Sequence, residues 1–321
     1  VPNVALKSAI DTWVEQHALP FHLACINGDM NRVQIELKNT SNPMLINSMD
    51  VLNMTGLEYA AKYDHSEILE YLLTFQNFGG VHQNDDGPAT YSTTALCWAA
   101  RKGHVRIVSI LLDDHRVDPN HLFDRKTALM HAAMEDRSNV VEIMLNHTSV
   151  DANAAFERLG GTAFFFACGG DPYKKLGCVS TVQVFLDNQQ QAIDFNATCR
   201  EESEGTALNN AVSMGHLDVV TLLVQDPRID VNHGSLLHYC KGITPLHTAA
   251  RGWWVTEEYN RGSMEERIAM LSVLLECPRI DTSVTDKNNE TPLMYCVDES
   301  NTAYTEIQVA LAMKFLEHGT G

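Results

Sequence analysis

The 321-residue sequence lacks any apolar run long enough to cross a membrane. Its longest apolar segments, such as Val105–Leu112, have the length of a short helix, whereas a bilayer-spanning helix needs about 20 residues of this kind. Basic residues are also scarce, because 23 lysines and arginines stand against 41 aspartates and glutamates, which gives a formal charge of −18. We therefore expect neither membrane contact nor nucleic-acid binding through phosphate neutralisation.

The eight cysteines are scattered along the chain, and no two of them form a C-x-x-C pair. A chain of this length does not need disulfides in order to fold. We therefore expect buried thiols in a reducing, intracellular compartment: the cytoplasm, with the nucleus as a second possibility. The sequence also has no glycine-rich phosphate loop, no H-E-x-x-H and no G-x-S-x-G motif. We predict no catalytic residues, no metal site and no cofactor in this chain.

The sequence does contain a short pattern that recurs along almost its whole length. A Thr is followed by a small residue or Pro, then usually Leu, two variable positions and two small residues. Clear copies read TTALCWAA, KTALMHAA, GTAFFFAC, GTALNNAV, ITPLHTAA and ETPLMYCV, and weaker copies read LPFHLAC and TGLEYAA. The positions equivalent to the Thr of the pattern are residues 19, 55, 94, 127, 162, 206, 244 and 291.

Each copy is followed by a second apolar helix pattern, and four copies then close with an Asp-x-Asn turn that ends at residue 120, 153, 196 or 232. The Thr hydroxyl suits the N-cap of the first helix, and Pro suits its first turn. The Leu and the small residues lie three or four positions apart, so they share one helix face. A single unit cannot bury that face alone, so we expect the units to stack on one another.

This pattern resembles the ankyrin repeat, in eight copies. The resemblance implies an all-α, ankyrin-repeat α-solenoid in which helix-turn-helix repeats are joined by β-hairpin fingers. Residues 1–18 do not fit the repeat, but the spacing of Leu6, Ile10, Trp13 and Val14 predicts a helix. We expect an N-terminal capping helix at 1–18 and an ankyrin-repeat domain at 19–321.

Four insertions lengthen the spacing between successive copies. These insertions are Phe75–Ser92, Gly169–Gly177, Gly252–Glu265 and Asp298–Thr305. The first insertion is rich in Gly, Asn, Asp and Pro, so we predict a loop there. The third insertion contains Trp253, Trp254 and Tyr259. Large aromatic residues in a polar insertion either pack onto the stack or anchor a partner, and both interpretations stay open.

The side of the first helix that faces away from the core is the candidate binding surface. In ankyrin stacks this side lines a concave groove. In the second, third and fourth copies it carries Tyr59, Lys62, Tyr63, Trp98, Arg101, Lys102, His131, Met134 and Glu135, and the finger before the fourth copy adds Arg125 and Lys126. In one interpretation the Tyr and Trp rings cover neighbouring helices, while the Lys and Arg side chains stay solvated or pair with the surplus carboxylates. In the other, these side chains hold a protein segment that carries acidic and apolar residues.

From the resemblance and from this surface, we predict that the chain is a protein–protein interaction module. It would act as an adaptor or scaffold that holds a protein or peptide segment in the concave groove, without catalysis of its own. The alternative is the substrate-recognition arm of a larger enzyme, such as a ubiquitin ligase or a host-directed bacterial effector. In that case the catalytic part would lie outside this chain.

Overall fold

The computed structural model describes residues 19–39, 45–50, 52–75, 81–84, 87–155, 160–169, 178–199, 205–235, 242–251, 264–296, 309 and 312–317. Short helices that come in pairs dominate this part of the chain. The first helices of the pairs are α1 (Pro20–Asn27), α3 (Gly56–Lys62), α5 (Tyr91–Lys102), α7 (Ala128–Met134), α9 (Ala163–Gly169), α11 (Ala207–Met214), α13 (Pro245–Arg251) and α15 (Pro292–Cys296). The second helices are α2 (Met30–Asn39), α4 (Ser66–Leu73), α6 (Val105–Leu112), α8 (Ser138–Leu145), α10 (Val179–Asp187), α12 (Leu217–Gln225) and α14 (Met264–Leu275). Residues 309 and 312–317 are also helical.

The chain divides into two compact units, one made of residues 1–132 and 146–150 and the other of residues 133–145 and 151–321. In the first unit, helices α1, α3 and α5 pack in one row, and α2, α4 and α6 pack in a second row. In the second unit, α9, α11, α13 and α15 form the row of first helices, and α8, α10, α12 and α14 form the row of second helices. The Leu of the repeated pattern is buried in both units, as Leu57, Leu96, Leu208 and Leu246 illustrate.

The first helices begin where the Thr of the pattern caps them. The hydroxyl of Thr55 accepts a hydrogen bond from the backbone N–H of Glu58 at 3.4 Å. The same bond, at 3.3–3.5 Å, is made by Thr127, Thr162, Thr206 and Thr244. The predicted N-cap is therefore confirmed at these five positions. Thr94 departs from the prediction, because α5 begins at Tyr91 and Thr94 lies inside the helix.

The turns that follow the first helices hold neighbouring pairs together. Gly103 and Gly215 adopt left-handed backbone conformations, with φ of 88° and 77°, as the pattern predicts. The ring Nε2 of the next residue, His104 or His216, then donates to a carbonyl oxygen of the preceding pair, that of Lys62 at 3.1 Å or Gly169 at 2.9 Å. Each histidine thus ties its own pair to the one before it.

The asparagines of the Asp-x-Asn turns link successive fingers. Each side-chain Nδ2 donates to a backbone oxygen further along the chain, at 2.7–2.9 Å, and the donors are Asn120, Asn153, Asn196 and Asn232. The Oδ1 atoms of the last three also accept backbone N–H bonds from the next finger at 2.8 Å. Their structural role is therefore a ladder of hydrogen bonds from turn to turn.

The loop prediction for Phe75–Ser92 is wrong. This segment contains strand β1 (Val81–Asn84) paired antiparallel with β2 (Gly87–Thr90), so that Val81 lies opposite Thr90 and Asn84 opposite Gly87. A short two-stranded ribbon is held by backbone hydrogen bonds and a two-residue connection, so it does not need the apolar alternation that marks a strand in a sequence. Helix α5 follows at once.

Other fingers are reduced to single bridges, which join Met49 to Thr55, Phe123 to Lys126 and Cys199 to Gly205. The prediction of paired helices with hairpin fingers is thus confirmed for the part of the chain that the structure describes. The predicted capping helix at 1–18 lies outside the described residues. So do residues 170–177, 252–263 and 298–305 of the predicted insertions.

Candidate protein-binding surface

Lys62, the last residue of α3, lies with its ammonium nitrogen close to three aromatic rings. The distances from Nζ to the ring centroids are 4.9 Å for Trp98, 5.4 Å for Tyr63 and 5.9 Å for Tyr59. Tyr59, Lys62 and Tyr63 share one helix face because they are three and four positions apart, and Trp98 comes from the adjacent helix α5. We call these four residues the lysine–aromatic cluster. Its geometry is that of a cation–π interaction.

The three rings of the cluster differ in how much they expose. Tyr63 is 36% exposed and Trp98 is half-buried, whereas Tyr59 is 0% exposed. The Tyr59 hydroxyl donates to Oδ2 of Asp50 in the preceding finger at 2.5 Å, and burial together with this bond raises the pKa of Tyr59. The prediction of Tyr59 as a partner contact is therefore wrong. The hydrogen bond to Asp50 holds the Tyr59 hydroxyl in the interior. The Tyr59 ring stacks on the ring of Tyr63 with 6.3 Å between the centroids.

Two further basic side chains of the same unit lie close enough to His131 to affect its pKa. Burial lowers the pKa of His131, and the charges of Lys126 and Arg101 lower it further, so both cations act on this ring. Its Nε2 donates to the backbone oxygen of Phe123 at 3.0 Å, and its side chain is 7% exposed. His131 is therefore a neutral residue of the interior and not the surface contact that the pattern predicted, because the finger carbonyl turns the ring inward.

The remaining cations of the surface are more accessible than His131. Arg101 at the end of α5 and Arg125 in the finger are exposed, and Lys102 and Lys126 are half-buried. Arginine can bind a carboxylate with two parallel hydrogen bonds, and an aromatic face accepts apolar side chains. This part of the first unit can thus contact both an anion and an apolar group.

The other predicted contact residues belong to the second unit or lie outside the described residues. Met134 and Glu135 are half-buried and belong to the second unit, where the backbone oxygen of Met134 accepts a bond from the Cys178 thiol at 3.6 Å. Trp253, Trp254 and Tyr259 lie outside the described residues. The candidate surface is therefore made of the exposed and half-buried residues of the first unit: Lys62, Tyr63 and Trp98 of the lysine–aromatic cluster, with Arg101, Lys102, Arg125 and Lys126.

The sequence analysis missed the partner of Tyr59, although the sequence carries a signal for it. A second pair has the same geometry: the Tyr295 hydroxyl donates to Oδ2 of Asp286 at 2.9 Å. In both pairs the Asp precedes the Tyr by nine residues, and its Oδ1 accepts two backbone N–H bonds of its own finger. An Asp nine positions before a Tyr at the fifth place of the pattern therefore indicates a hydrogen-bonded Asp–Tyr pair.

In the described part of the chain, no group of three or more His, Cys, Asp or Glu side chains is arranged to hold a metal ion. None of its helices is long and apolar enough to traverse a bilayer. What the described surface offers is side chains suited to non-covalent contact with a partner.

Comparison with known proteins identifies ankyrin repeats in part of the chain. Residues 77–155 match the family model described as Ankyrin repeats (3 copies). The chain is 33% identical over 103 residues to the palmitoyltransferase AKR1 of Lachancea kluyveri, a match that covers 31% of this chain and 13% of that protein. It is 34% identical over 75 residues to the transient receptor potential cation channel subfamily A member 1 of Drosophila melanogaster, which covers 22% of this chain and 6% of the channel.

The family match at residues 77–155, together with the helix pairs that stack within each unit, confirms the predicted fold class, all-α with ankyrin repeats. The family model accounts for three repeats, and the number of eight stays a prediction. The chain spans only a small part of both relatives, 13% and 6% of their lengths.

Proposed function

We propose, starting from the ankyrin repeats in residues 77–155, that this chain is an adaptor or scaffold that binds a segment of a partner protein. Ankyrin repeats are generally protein-interaction modules, and they are not catalytic. The observation that carries the proposal is the lysine–aromatic cluster, in which Lys62 lies over exposed aromatic surface on a chain with a charge of −18. On this proposal the protein works inside the cell.

The partner segment that suits this surface is acidic and carries at least one apolar side chain. Carboxylates of the segment would pair with Arg101, Arg125 and Lys126, while the apolar side chain would rest on Tyr63 and Trp98. Carboxylates on the rest of the chain would repel an acidic segment, so the segment would bind at this surface and not at other places on the protein. Trp98 and Arg101 belong to the residue types that dominate binding energy in interfaces.

A second candidate function is the recognition arm of a larger protein. The observation in its favour is that the two relatives, a palmitoyltransferase and a cation channel by name, are much longer than the part that this chain matches. A segment shared by proteins with such different names fits a module whose partner binding serves an activity located elsewhere. In that case the same surface would hold a substrate instead of a scaffolded partner.

A selection from a random peptide display library tests the binding proposal. We expect the chain to enrich acidic peptides that contain an aromatic or aliphatic residue. Trp98→Ala is then expected to weaken the best peptide by about 2 kcal/mol, which is roughly thirtyfold, and Arg101→Glu is expected to weaken it at least as much because it places a like charge opposite the peptide.

Arg106→Glu is the matched control for Arg101→Glu. Arg106 is an exposed arginine of the same unit, on α6, where it contacts Glu70 at 3.0 Å. We expect this variant to keep the affinity of the unmodified chain. Enrichment of basic peptides, or an equal loss of affinity in both arginine variants, would contradict the proposed surface.

A further inference from the structure

The fifth residue of the repeated pattern ties three of the first helices to the fingers that precede them. Tyr59 and Tyr295 do so with their hydroxyls, each of which donates to an aspartate nine positions earlier. His131 holds the fifth place in α7, and its Nε2 donates to the backbone oxygen of Phe123 at 3.0 Å. The imidazole therefore fixes its finger against the helix that follows, as the phenols do in the two other helices.

The finger that His131 holds is a turn of two residues between Phe123 and Lys126. These two residues pair through backbone hydrogen bonds of 2.9 Å and 3.1 Å. Asp124 and Arg125 lie between them with φ of 52° and 60°, a left-handed region in which arginine is uncommon. The turn thus keeps Arg125 at an exposed tip at a cost in backbone strain, and such strain persists only where the surrounding structure holds it.

The charged groups that act on the ring of His131 come from this finger and from the end of α5. They are Lys126 and Asp124 of the finger and Arg101 of the helix. Burial lowers the pKa of His131, and the two cations lower it further, against the opposing influence of Asp124 and of the bond to Phe123. The protonation of His131 therefore responds to the charges that Lys126 and Arg101 contact.

We infer that His131 is a positioning residue for the binding of the partner segment. Its hydrogen bond fixes the finger on α7, so that Arg125 and Lys126 are already in place when the carboxylates of the segment arrive. Ordering a loop and its long side chains during binding costs affinity, and the bond from His131 avoids this cost. The role rests on the proposed function and adds to it a buried residue that the segment does not touch.

Proton uptake distinguishes this role from a contribution to stability alone. Carboxylates of a bound segment would offset the charges of Lys126 and Arg101, both of which lower the pKa of His131 in the free chain. Because the His131 side chain is only 7% exposed before binding, the segment adds little to its burial. The pKa of His131 is therefore expected to rise on binding, and the chain is expected to take up part of a proton at pH of about 6.

Two variants of His131 test the role in the free chain. The amide nitrogen of glutamine can replace Nε2 as the donor to Phe123, whereas leucine has no donor. Hydrogen exchange at the amides of Phe123 and Lys126 measures how firmly the finger is held. We expect both amides to exchange about tenfold faster in His131→Leu than in the unmodified chain, and His131→Gln to restore most of the protection. Unchanged protection in His131→Leu would overturn the inference, whether or not a partner binds.

The binding experiment uses a fluorescein-labelled peptide of glutamates around a central leucine as its probe, with variants that circular dichroism shows to be folded. His131→Leu is expected to weaken binding about tenfold at pH of about 7.5, and His131→Gln to recover most of the affinity. Arg125→Gln is expected to cost less affinity when combined with His131→Leu than on its own, whereas the cost of Trp98→Ala is expected to be the same in both backgrounds. An equal cost of Arg125→Gln in both backgrounds would contradict the positioning role.

Calorimetry with the same probe at pH of about 6, in two buffers of different ionisation enthalpy, measures the proton uptake. We expect uptake in the unmodified chain and in His115→Gln, the control at an exposed histidine of the same unit, and its loss in His131→Gln. Uptake that persists in His131→Gln would overturn the inference, because another group then takes the proton. If the unmodified chain does not bind the probe although hydrogen exchange of the finger depends on His131, the proposed function fails, and the role of His131 in binding fails with it.

Discussion

The pair formed by Tyr59 and Asp50 shows how one side chain connects the core to the candidate surface. The Tyr59 hydroxyl is held in the preceding finger, while its ring supports Tyr63 and contributes to the environment of Lys62. A residue that is part of the core thereby positions the exposed members of the lysine–aromatic cluster. The pair stabilises the fold and arranges the surface at the same time.

Removing the hydroxyl of Tyr59 tests the role of this pair in stability. We expect Tyr59→Phe to lower the free energy of unfolding by roughly 1–3 kcal/mol, because a buried carboxylate oxygen of Asp50 loses its donor. The measurement is the urea midpoint, followed by fluorescence. Tyr71→Phe is the control at a half-buried tyrosine of the same unit, and equal losses in the two variants would contradict the assignment.

Part of the candidate surface was predictable from the sequence, and part was not. Periodicity correctly brings Lys62, Tyr63 and Trp98 to one side of neighbouring helices, since it depends only on the helical repeat. It failed for Tyr59 and His131, because their direction is decided by single hydrogen bonds to Asp50 and to the backbone of Phe123. Such bonds come from fingers whose geometry is not periodic.

At the scale of helices, the first helix α1 differs from the others at its beginning. Leu19 holds the N-cap position with extended backbone angles, φ −62° and ψ 151°, but offers no side-chain cap. The buried Nδ1 of His22 has no hydrogen-bond partner. In α13, by contrast, Nδ1 of His247 accepts bonds from the backbone N–H and the hydroxyl of Thr244, at 3.2 Å and 2.8 Å.

Supplying the missing cap is expected to stabilise the protein. Leu19→Thr places a hydroxyl where Thr244 has one, so it can cap α1 and donate to Nδ1 of His22. We expect a gain of about 1 kcal/mol in the free energy of unfolding, measured as a higher urea midpoint. Leu19→Val is the matched control, since valine has the shape of threonine without the hydroxyl. A gain of the same size in both variants would show that capping is not its cause.

The helices were more predictable than the segments between them. The first helices begin within one residue of the predicted places except at α5, which the hairpin β1–β2 precedes and which begins at Tyr91. A Thr that caps a helix leaves a repeated mark in the sequence, whereas a short ribbon such as Val81–Thr90 depends on backbone pairing that many sequences can make. This difference explains the wrong loop prediction.

At the scale of the whole molecule, the same kinds of contact link one helix pair to the next in each unit. Besides the histidine and asparagine bonds, arginines reach back to the carbonyl oxygens at the ends of second helices. Arg116 donates to Leu73 at 3.1 Å, Arg228 donates to Leu186 at 2.6 Å, and Arg279 donates to Val224 at 2.8 Å. Because every link joins neighbours, stability within each unit accumulates from nearest-neighbour terms, as expected for a repeat protein.

Buried histidines in both units predict how the stability of the molecule depends on pH. Burial lowers the pKa of His22, His131 and His247 below the usual value of 6.5. For His247 this effect exceeds the opposing influence of Asp286 and Glu290. The unfolded chain therefore binds more protons than the folded chain once the pH falls below about 6.5, and unfolding is favoured there.

The lowered pKa values of the buried histidines also define the pH range in which stability changes. The contribution of these neutral histidines to the free energy of unfolding is fully present above pH of about 6.5 to 7, and it declines as the pH falls towards their lowered pKa values in the folded state. Hydrogen bonds from the neighbouring arginines also lower the pKa of Asp114 and Asp226. The contribution of these carboxylates is lost only below pH of about 4, so a measurement between pH of about 5.5 and 7.5 reports on the histidines.

We expect the urea midpoint of the unmodified protein to be lower at pH of about 5.5 than at about 7.5. In His247→Gln the difference between the two midpoints is expected to shrink, because this variant has one fewer buried group to protonate, whatever its absolute stability. His115→Gln is the control at an exposed histidine and is expected to keep the full difference. If His247→Gln and His115→Gln show the same pH dependence, the buried imidazole of His247 is not one of the groups that destabilise the molecule in acid.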